Sequence, residues 1–173
     1  MDPHISFADS APYPPVRVEG RNVKYAAAML ANIGSCNSEI SAVSLYFYNS
    51  VVLRESYPDL ADSFHKISMV EMRHLDIFAS LACLLGADPR LWHPDNGRPS
   101  YWSPSCNQYP RTPLLLVRNA MEGERAAISQ YRRQAGWIGD PYICEMLKRI
   151  ILDEQRHIEI FKQMEIRLSR EKK

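Results

Sequence analysis

The 173-residue sequence predicts an all-α protein, a four-helix bundle with a long crossover between its second and third helices. Three observations predict it. An eight-residue pattern, Glu-x-Arg-His-apolar-acid-Ile-Phe, occurs at residues 71–78 and again at 154–161. Each copy lies in a stretch of helical periodicity entered through a proline 13 residues earlier, Pro58 and Pro141. A second pattern, Glu-x-x-Ala-x-x-x-Tyr, occurs at Glu39, Ala42 and Tyr46 and recurs at Glu124, Ala127 and Tyr131. The chain therefore reads as two helical hairpins of one design. At this length one domain, 1–173, can bury a core without covalent staples.

The elements follow in order. Residues 1–20 carry Pro3, Pro12, Pro14 and Pro15, which a continuous helix would not tolerate, so they form an extended arm lying on the domain or on a partner subunit. From about Asn22 to Arg54 the apolar positions Val23, Ala26, Ala27, Leu30 and Ile33, then Ile40, Val43 and Phe47, give the first helix. Asn22 is a suitable cap, and Gly34, in the middle of the run, marks a close crossing or a kink. Pro58 opens the second helix and Gly86 ends it. Its apolar face, Leu60, Phe64, Ile67, Leu75, Phe78, Leu81 and Leu85, is interrupted by Glu71 and His74. Residues 87–112 hold five prolines with Trp92, Tyr101, Trp102 and Tyr109, and form an ordered crossover packed on the bundle. Thr112-Pro113 opens the third helix, which Gly136 or Gly139 closes. Asp140-Pro141 opens the fourth, which reaches about Ser169. The basic tail Arg167-x-x-Arg170-Glu171-Lys172-Lys173 reads as a fraying, solvated helix end.

Composition narrows the function. With 21 basic and 20 acidic residues, net charge +1, and no cluster of basic residues within the bundle, nothing points to nucleic acid or an anionic membrane. No apolar run spans a bilayer, and residues 1–20 have no secretory apolar core. Cys36, Cys83, Cys106 and Cys144 are too far apart for any Cys-x-x-Cys metal knuckle. The expectation is four reduced thiols in a cytoplasmic protein.

Residues three apart share a helix face, so Glu71 with His74 and Glu154 with His157 each aim a carboxylate and an imidazole at one point. Adding Glu39 and Glu124 from the other two helices gives four carboxylates and two imidazoles, the ligand set of di-iron and di-manganese bundles. Oxygen-rich donors with one imidazole per metal suit iron or manganese. Glu71 and Glu154 are assigned as bridging or near-bridging and Glu39 and Glu124 as terminal ligands, although spacing alone does not determine which glutamates bridge. Glu122 competes with Glu124, because it precedes Glu154 by the same 32 residues that separate Glu39 from Glu71; the alanine and tyrosine that follow Glu124 favour the latter. Asp153 is placed to accept from a ligand imidazole, that of His74 across the bundle, and its counterpart in the first copy is Val70. Tyr46 and Tyr131 share a face with the glutamates and can donate to ligands or line the open side. Arg73 and Arg156 could neutralise buried carboxylates. Asp76 and Glu159 point elsewhere and are expected to be solvated, as are His4, His65 and His93, which lack partners at ligand spacing.

Glu39, Glu71-x-x-His74, Gly123-Glu124 and Asp153-Glu154-Gln155-Arg156-His157 together resemble the ferritin-like superfamily, most closely its rubrerythrin branch, over about residues 22–168. Tyr13-Pro14-Pro15-Val16 and Ser38-Glu39-Ile40-Ser41-Ala42 are also similar to manganese catalases and their spore-coat relatives. The resemblance implies an all-α, ferritin-like four-helix bundle with two iron ions, or two manganese ions, that reduces peroxide or oxygen with electrons from a separate donor protein. Di-manganese catalase activity and a non-enzymatic metal-storage or coat-like role are the alternatives. By analogy the protein is a homodimer. The sequence departs from complete rubrerythrins in lacking rubredoxin-type cysteine pairs. It also lacks an extra carboxylate one turn from the third-helix ligand, where Met121 and Ala127 stand.

Overall fold

The computed structural model describes residues 6–170; Pro3, His4 and the tail residues Glu171, Lys172 and Lys173 lie outside them. Five α-helices run α1 (Val23–Gly34), α2 (Glu39–Leu53), α3 (Pro58–Leu84), α4 (Pro113–Ala135) and α5 (Pro141–Arg170). α2 packs along α3 and α4 along α5, and the two hairpins face each other as a four-helix bundle. α1 lies against α3 and the crossover.

One predicted helix is thus two. α1 is capped by Asn22, whose side chain accepts from the Lys24 and Tyr25 N–H groups, and it stops at Gly34. A Cβ there would lie 2.2 Å from the Trp92 backbone nitrogen, so only glycine lets the crossover pass this closely. The four-residue break, 35–38, resets the helical phase. As a result Ala26, Leu30 and Ile33 are buried as expected, but Phe47 is exposed, and α2 turns Glu39, Leu45, Tyr46, Asn49 and Leu53 inward.

α3 ends as the sequence indicates. Gly86 has φ +97°; its N–H donates to Cys83 O and the Ala87 N–H to Ala82 O, the paired closure that a left-handed residue after a helix permits. Asp140 caps α5 by accepting from the Tyr142 and Ile143 N–H groups.

The crossover holds a feature the periodicity did not predict, a β-hairpin of β1 (Trp92–Asp95) and β2 (Arg98–Tyr101). Asn96 and Gly97 both have positive φ, the two-residue turn that Asn-Gly favours. That dipeptide was the available signal. The crossover also corrects the expectation of four thiols. It carries Cys106 back to the α1–α2 break, where it forms a disulfide with Cys36 across 70 residues of sequence. Spacing along the chain could not reveal that approach. Cys83 and Cys144 are free. No described helix is long and apolar enough to cross a membrane.

Candidate metal centre

Each helix of the facing hairpins presents one carboxylate to the bundle axis, and α3 and α5 add an imidazole each. Glu39, Glu71, His74, Glu124, Glu154 and His157 are all at most 2% exposed. They form two groups, Glu39, Glu71, His74 and Glu154, and Glu71, Glu124, Glu154 and His157. Within each group the donor atoms lie within 4.8 Å of one another, and Glu71 and Glu154 belong to both. His74 Nδ1 is 3.0 Å from Glu71 Oε2 and 3.2 Å from Glu154 Oε1; His157 Nδ1 is 2.9 Å from Glu71 Oε1 and 3.1 Å from Glu154 Oε2. The Nδ1 atoms therefore face the carboxylates from both sides. Glu122 points to solvent beside Arg125, so the structure brings Glu124 and not Glu122 into the cluster.

The electrostatics show what such a cluster needs. Burial pushes the Glu39 and Glu124 carboxyls well above the usual range, and the Glu71 and Glu154 carboxylates push them further. Burial also opposes ionisation of Glu71, but the His157 and His74 imidazoles hold its carboxyl well below that range. Burial opposes charging of His74 and His157, yet the carboxylates raise both, Glu154 chiefly for His74 and Glu71 for His157. Protons thus stand where cations would, since four carboxylates cannot all ionise together unpaired in a dry interior. Glu71 Oε1, Glu154 Oε1 and His157 Nε2 have no hydrogen-bond partner. Buried carboxylate oxygens that face imidazole nitrogens at ion-pair distance, without a hydrogen bond of their own, fit a dinuclear metal site.

Two tyrosines cross the bundle to the Glu124 and Glu39 carboxylates. The Tyr46 hydroxyl of α2 donates to Glu124 Oε1 of α4 at 2.6 Å, and Tyr131 of α4 donates to Glu39 Oε1 of α2. Burial raises both phenols, and the accepting carboxylate raises each further. Apolar clusters close both ends of the site, Phe78, Leu147 and Ile150 on one side and Phe64, Phe161 and Leu116 on the other.

Asp153 lies behind the His74 imidazole. Its Oδ2 lies 3.0 Å from His74 Nε2. The arm supplies a partner that sequence reasoning missed, because the Tyr13 hydroxyl donates to Asp153 Oδ2 and stands 3.2 Å from His74 Nε2. Only the tyrosine beside Pro14-Pro15 hinted at it. Burial and the Asp153 carboxylate push the Tyr13 phenol up to about 12 against the lowering by His74. The Asp153 carboxyl is held well below its usual range despite burial, by His74, Tyr13, Arg149 and the Asp9 N–H.

The arginines differ from expectation. Arg73 lies 3.9 Å over the Tyr13 ring, and Arg156 pairs with Glu159 and donates to Ser6 O. Neither reaches the cluster, because each lies on the outer side of its helix. Arg149 takes the neutralising role, 2.8 Å from Asp153 Oδ1, while donating to Ala11 O and Asp9 O. The arm therefore lies on its own domain. Asp76 and Glu159 are exposed as expected, and so is His65; His93 is half-buried, with Nδ1 3.2 Å from Gly34 O.

A cavity of about 260 Å³ opens between α2 and α4 onto Glu39, Glu124, Tyr46 and Tyr131. Asn37, Asn107, Gln108 and Asn119 make its outer wall polar.

The rubrerythrin family profile matches residues 34–165, a span that contains all six clustered residues. The chain belongs to the rubrerythrin family. No match was found among curated proteins. Among solved structures this rubrerythrin-family chain is similar to KatB, a manganese catalase from Anabaena, with 17% identity and a TM-score of 0.82 over 95% of this chain and 81% of that one. It is also similar to a Rhodobacter capsulatus bacterioferritin, at 19% identity and a TM-score of 0.74 over 87% and 89% of the two chains. A bacterioferritin-related dodecameric thioferritin from Bacteroides fragilis matches at 19% identity and 0.68, over 88% and 90%. At these identities the likeness establishes the ferritin-like fold that the sequence predicted.

Proposed function

We propose that the protein is a dinuclear-metal oxidoreductase of rubrerythrin type, reducing hydrogen peroxide or oxygen at a carboxylate-bridged di-iron centre with electrons from a separate donor. The observation that carries this reading is the pair of donor groups sharing Glu71 and Glu154 beneath a cavity open to solvent. Glu71 and Glu154 would bridge, Glu39 and Glu124 would each close one metal, and His74 and His157 would supply one nitrogen each. Bound metals contribute redox capacity and open coordination positions.

The remaining work falls to the chain. Tyr46 and Tyr131 fix the terminal carboxylates through Glu124 Oε1 and Glu39 Oε1, and their hydroxyls hold protons beside the cavity where a small oxidant would sit. Asp153 and Tyr13 orient His74. The aromatic walls of Phe64, Phe78 and Phe161 keep water from the far side, so the cavity is the route in. Its outer wall of amides, with the exposed Glu122 carboxylate beside them, suits a small neutral molecule such as peroxide better than an anion.

A second reading, di-manganese catalase, is favoured by one observation. The likeness to a manganese catalase covers 95% of the chain and so extends beyond residues 34–165. Peroxide removal by protein loaded with iron or manganese separates the two. Consumption that requires a reductant and releases no oxygen supports the peroxidase reading. Oxygen evolved with no reductant present replaces it with catalase, and metal binding without peroxide consumption replaces both with storage.

A further inference from the structure

The cavity leading to the carboxylates has a sulfur pair in its wall. Cys36 lies in the break between α1 and α2, three residues before Glu39, and Cys106 lies in the crossover; both line the cavity together with Glu39, Glu124 and Tyr131. Three residues of chain span at most about 11 Å, so Cys36 stays close to one donor of the cluster. Cys36 is exposed and Cys106 half-buried, which leaves the bond open to an external thiolate. Cys83 and Cys144 line no part of this cavity.

Stapling does not account for this placement, because the crossover is fastened to α2 on both sides of Cys106 by other means. Trp102 Nε1–H donates to Ser41 Oγ at 2.9 Å, and Asn107 Nδ2–H to Ser44 Oγ at 2.7 Å. The Tyr109 ring packs edge-on against Tyr48 with centroids 4.8 Å apart. With these contacts in place the bond can open and leave both thiols within reach of each other.

We propose that Cys36 and Cys106 are a redox-active pair that supplies the two electrons for peroxide reduction at the neighbouring centre, and that an external dithiol resets it. The proposal rests on the reading of that centre as peroxide-reducing, and identifies its electron donor by chemical class. One peroxide and two thiols give one disulfide and two waters. The O–O bond and two S–H bonds break, one S–S and two O–H bonds form, the sulfurs are oxidised, and the thiol protons leave in water. The external dithiol then becomes a disulfide by exchange and restores both thiols. A two-electron sulfur couple matches one peroxide.

The test starts from protein fully reduced with dithiothreitol, freed of reductant and loaded anaerobically with ferrous or manganous ion. One equivalent of peroxide is added, samples are quenched by alkylation, and the Cys36–Cys106 linked peptide is quantified by mass spectrometry. The disulfide should form at least about tenfold faster than in metal-free protein, while Cys83 and Cys144 remain alkylated. Equal rates with and without metal overturn the proposal, since the thiols then react with peroxide directly. A bond that dithiothreitol cannot reduce in the folded protein also overturns it. Oxidised protein supplied with ascorbate, which leaves disulfides intact, reports on the centre separately. Ascorbate-driven turnover without metal-accelerated disulfide formation sinks the sulfur pair and leaves the site reading standing. No peroxide consumption with either reductant sinks both.

Discussion

Asp153→Ala should separate the two metal positions. His74 Nε2 has Asp153 at 3.0 Å behind it, whereas His157 Nε2 has no hydrogen-bond partner. Losing the carboxylate behind a ligand imidazole typically weakens metal binding by about 10- to 100-fold. Tyr13 stays near, its hydroxyl 3.2 Å from His74 Nε2 and its ring held between Arg73 and Arg149. A neutral oxygen then replaces a charged one, so the single variant should lose about tenfold at one position, and the Tyr13→Phe/Asp153→Ala double variant about a hundredfold. The position built on His157 should be unchanged in both. Asp153→Ala also breaks the Arg149 pair, in which both side chains are at most 5% exposed. Breaking a buried pair costs about 3–5 kcal/mol; Arg149 keeps two carbonyl acceptors in the arm, which argues for the lower end. Stepwise metal titration against a competing chelator, run where urea unfolding shows the variant folded, reads both effects. Equal weakening of both positions would refute the argument, because Asp153 would then act through general destabilisation.

Three further outcomes are expected. Glu71→Gln should abolish binding of both ions, Glu124→Gln of one, and Glu122→Ala of neither, as counted by elemental analysis after gel filtration. Gly34→Ala should lower stability by about 1–3 kcal/mol in urea unfolding, because the added methyl forces the Trp92 backbone away. In metal-free protein His74, His157, Glu39 and Glu124 are all raised, so their protonated forms favour the fold, and this contribution is lost as pH rises through their folded values. Asp153 and Glu71 are depressed, and their contribution is lost as pH falls below about 4. Metal-free protein should therefore be most stable at mildly acidic pH, and metal uptake should release protons and strengthen with pH, measurable by denaturation series and by titration in weak buffer.

The cluster of carboxylates and imidazoles was legible because helical geometry converts spacing into direction. Once Glu71 and His74 fall on an apolar face, their convergence with Glu154 and His157 follows from the period of the helix and the duplicated prolines. Spacing did not fix which carboxylates are shared; that Glu71 and Glu154 belong to both donor groups follows from how the four helices face one another. What periodicity could not carry was anything set by chain crossing. The break after Gly34 depends on a strand 58 residues later, Trp92. The Cys36–Cys106 bond depends on where the crossover returns, and the Tyr13 contact depends on an arm with no period at all. Phe47 was misplaced for the same reason, since the phase of α2 is set by the break and not by α1.

These misses lie where the duplication is broken. The two hairpins supply equivalent carboxylates, imidazoles and crossed tyrosines, and each tyrosine serves the opposite hairpin, so the site is two-fold in everything the repeat encodes. What distinguishes one side from the other is either a departure within the repeat or a segment outside it. Asp153 stands where the first copy has Val70, and the arm adds Tyr13 behind the same histidine. The crossover, which joins the two hairpins and so occurs once, brings the sulfur pair to the cavity between Glu39 and Glu124. A symmetric cradle gives two similar metal positions; the unrepeated segments are what could make one of them the tighter and the cavity side the reactive one. Removing the arm's hydroxyl alone, in Tyr13→Phe, should then shift the two affinities toward each other without emptying either position.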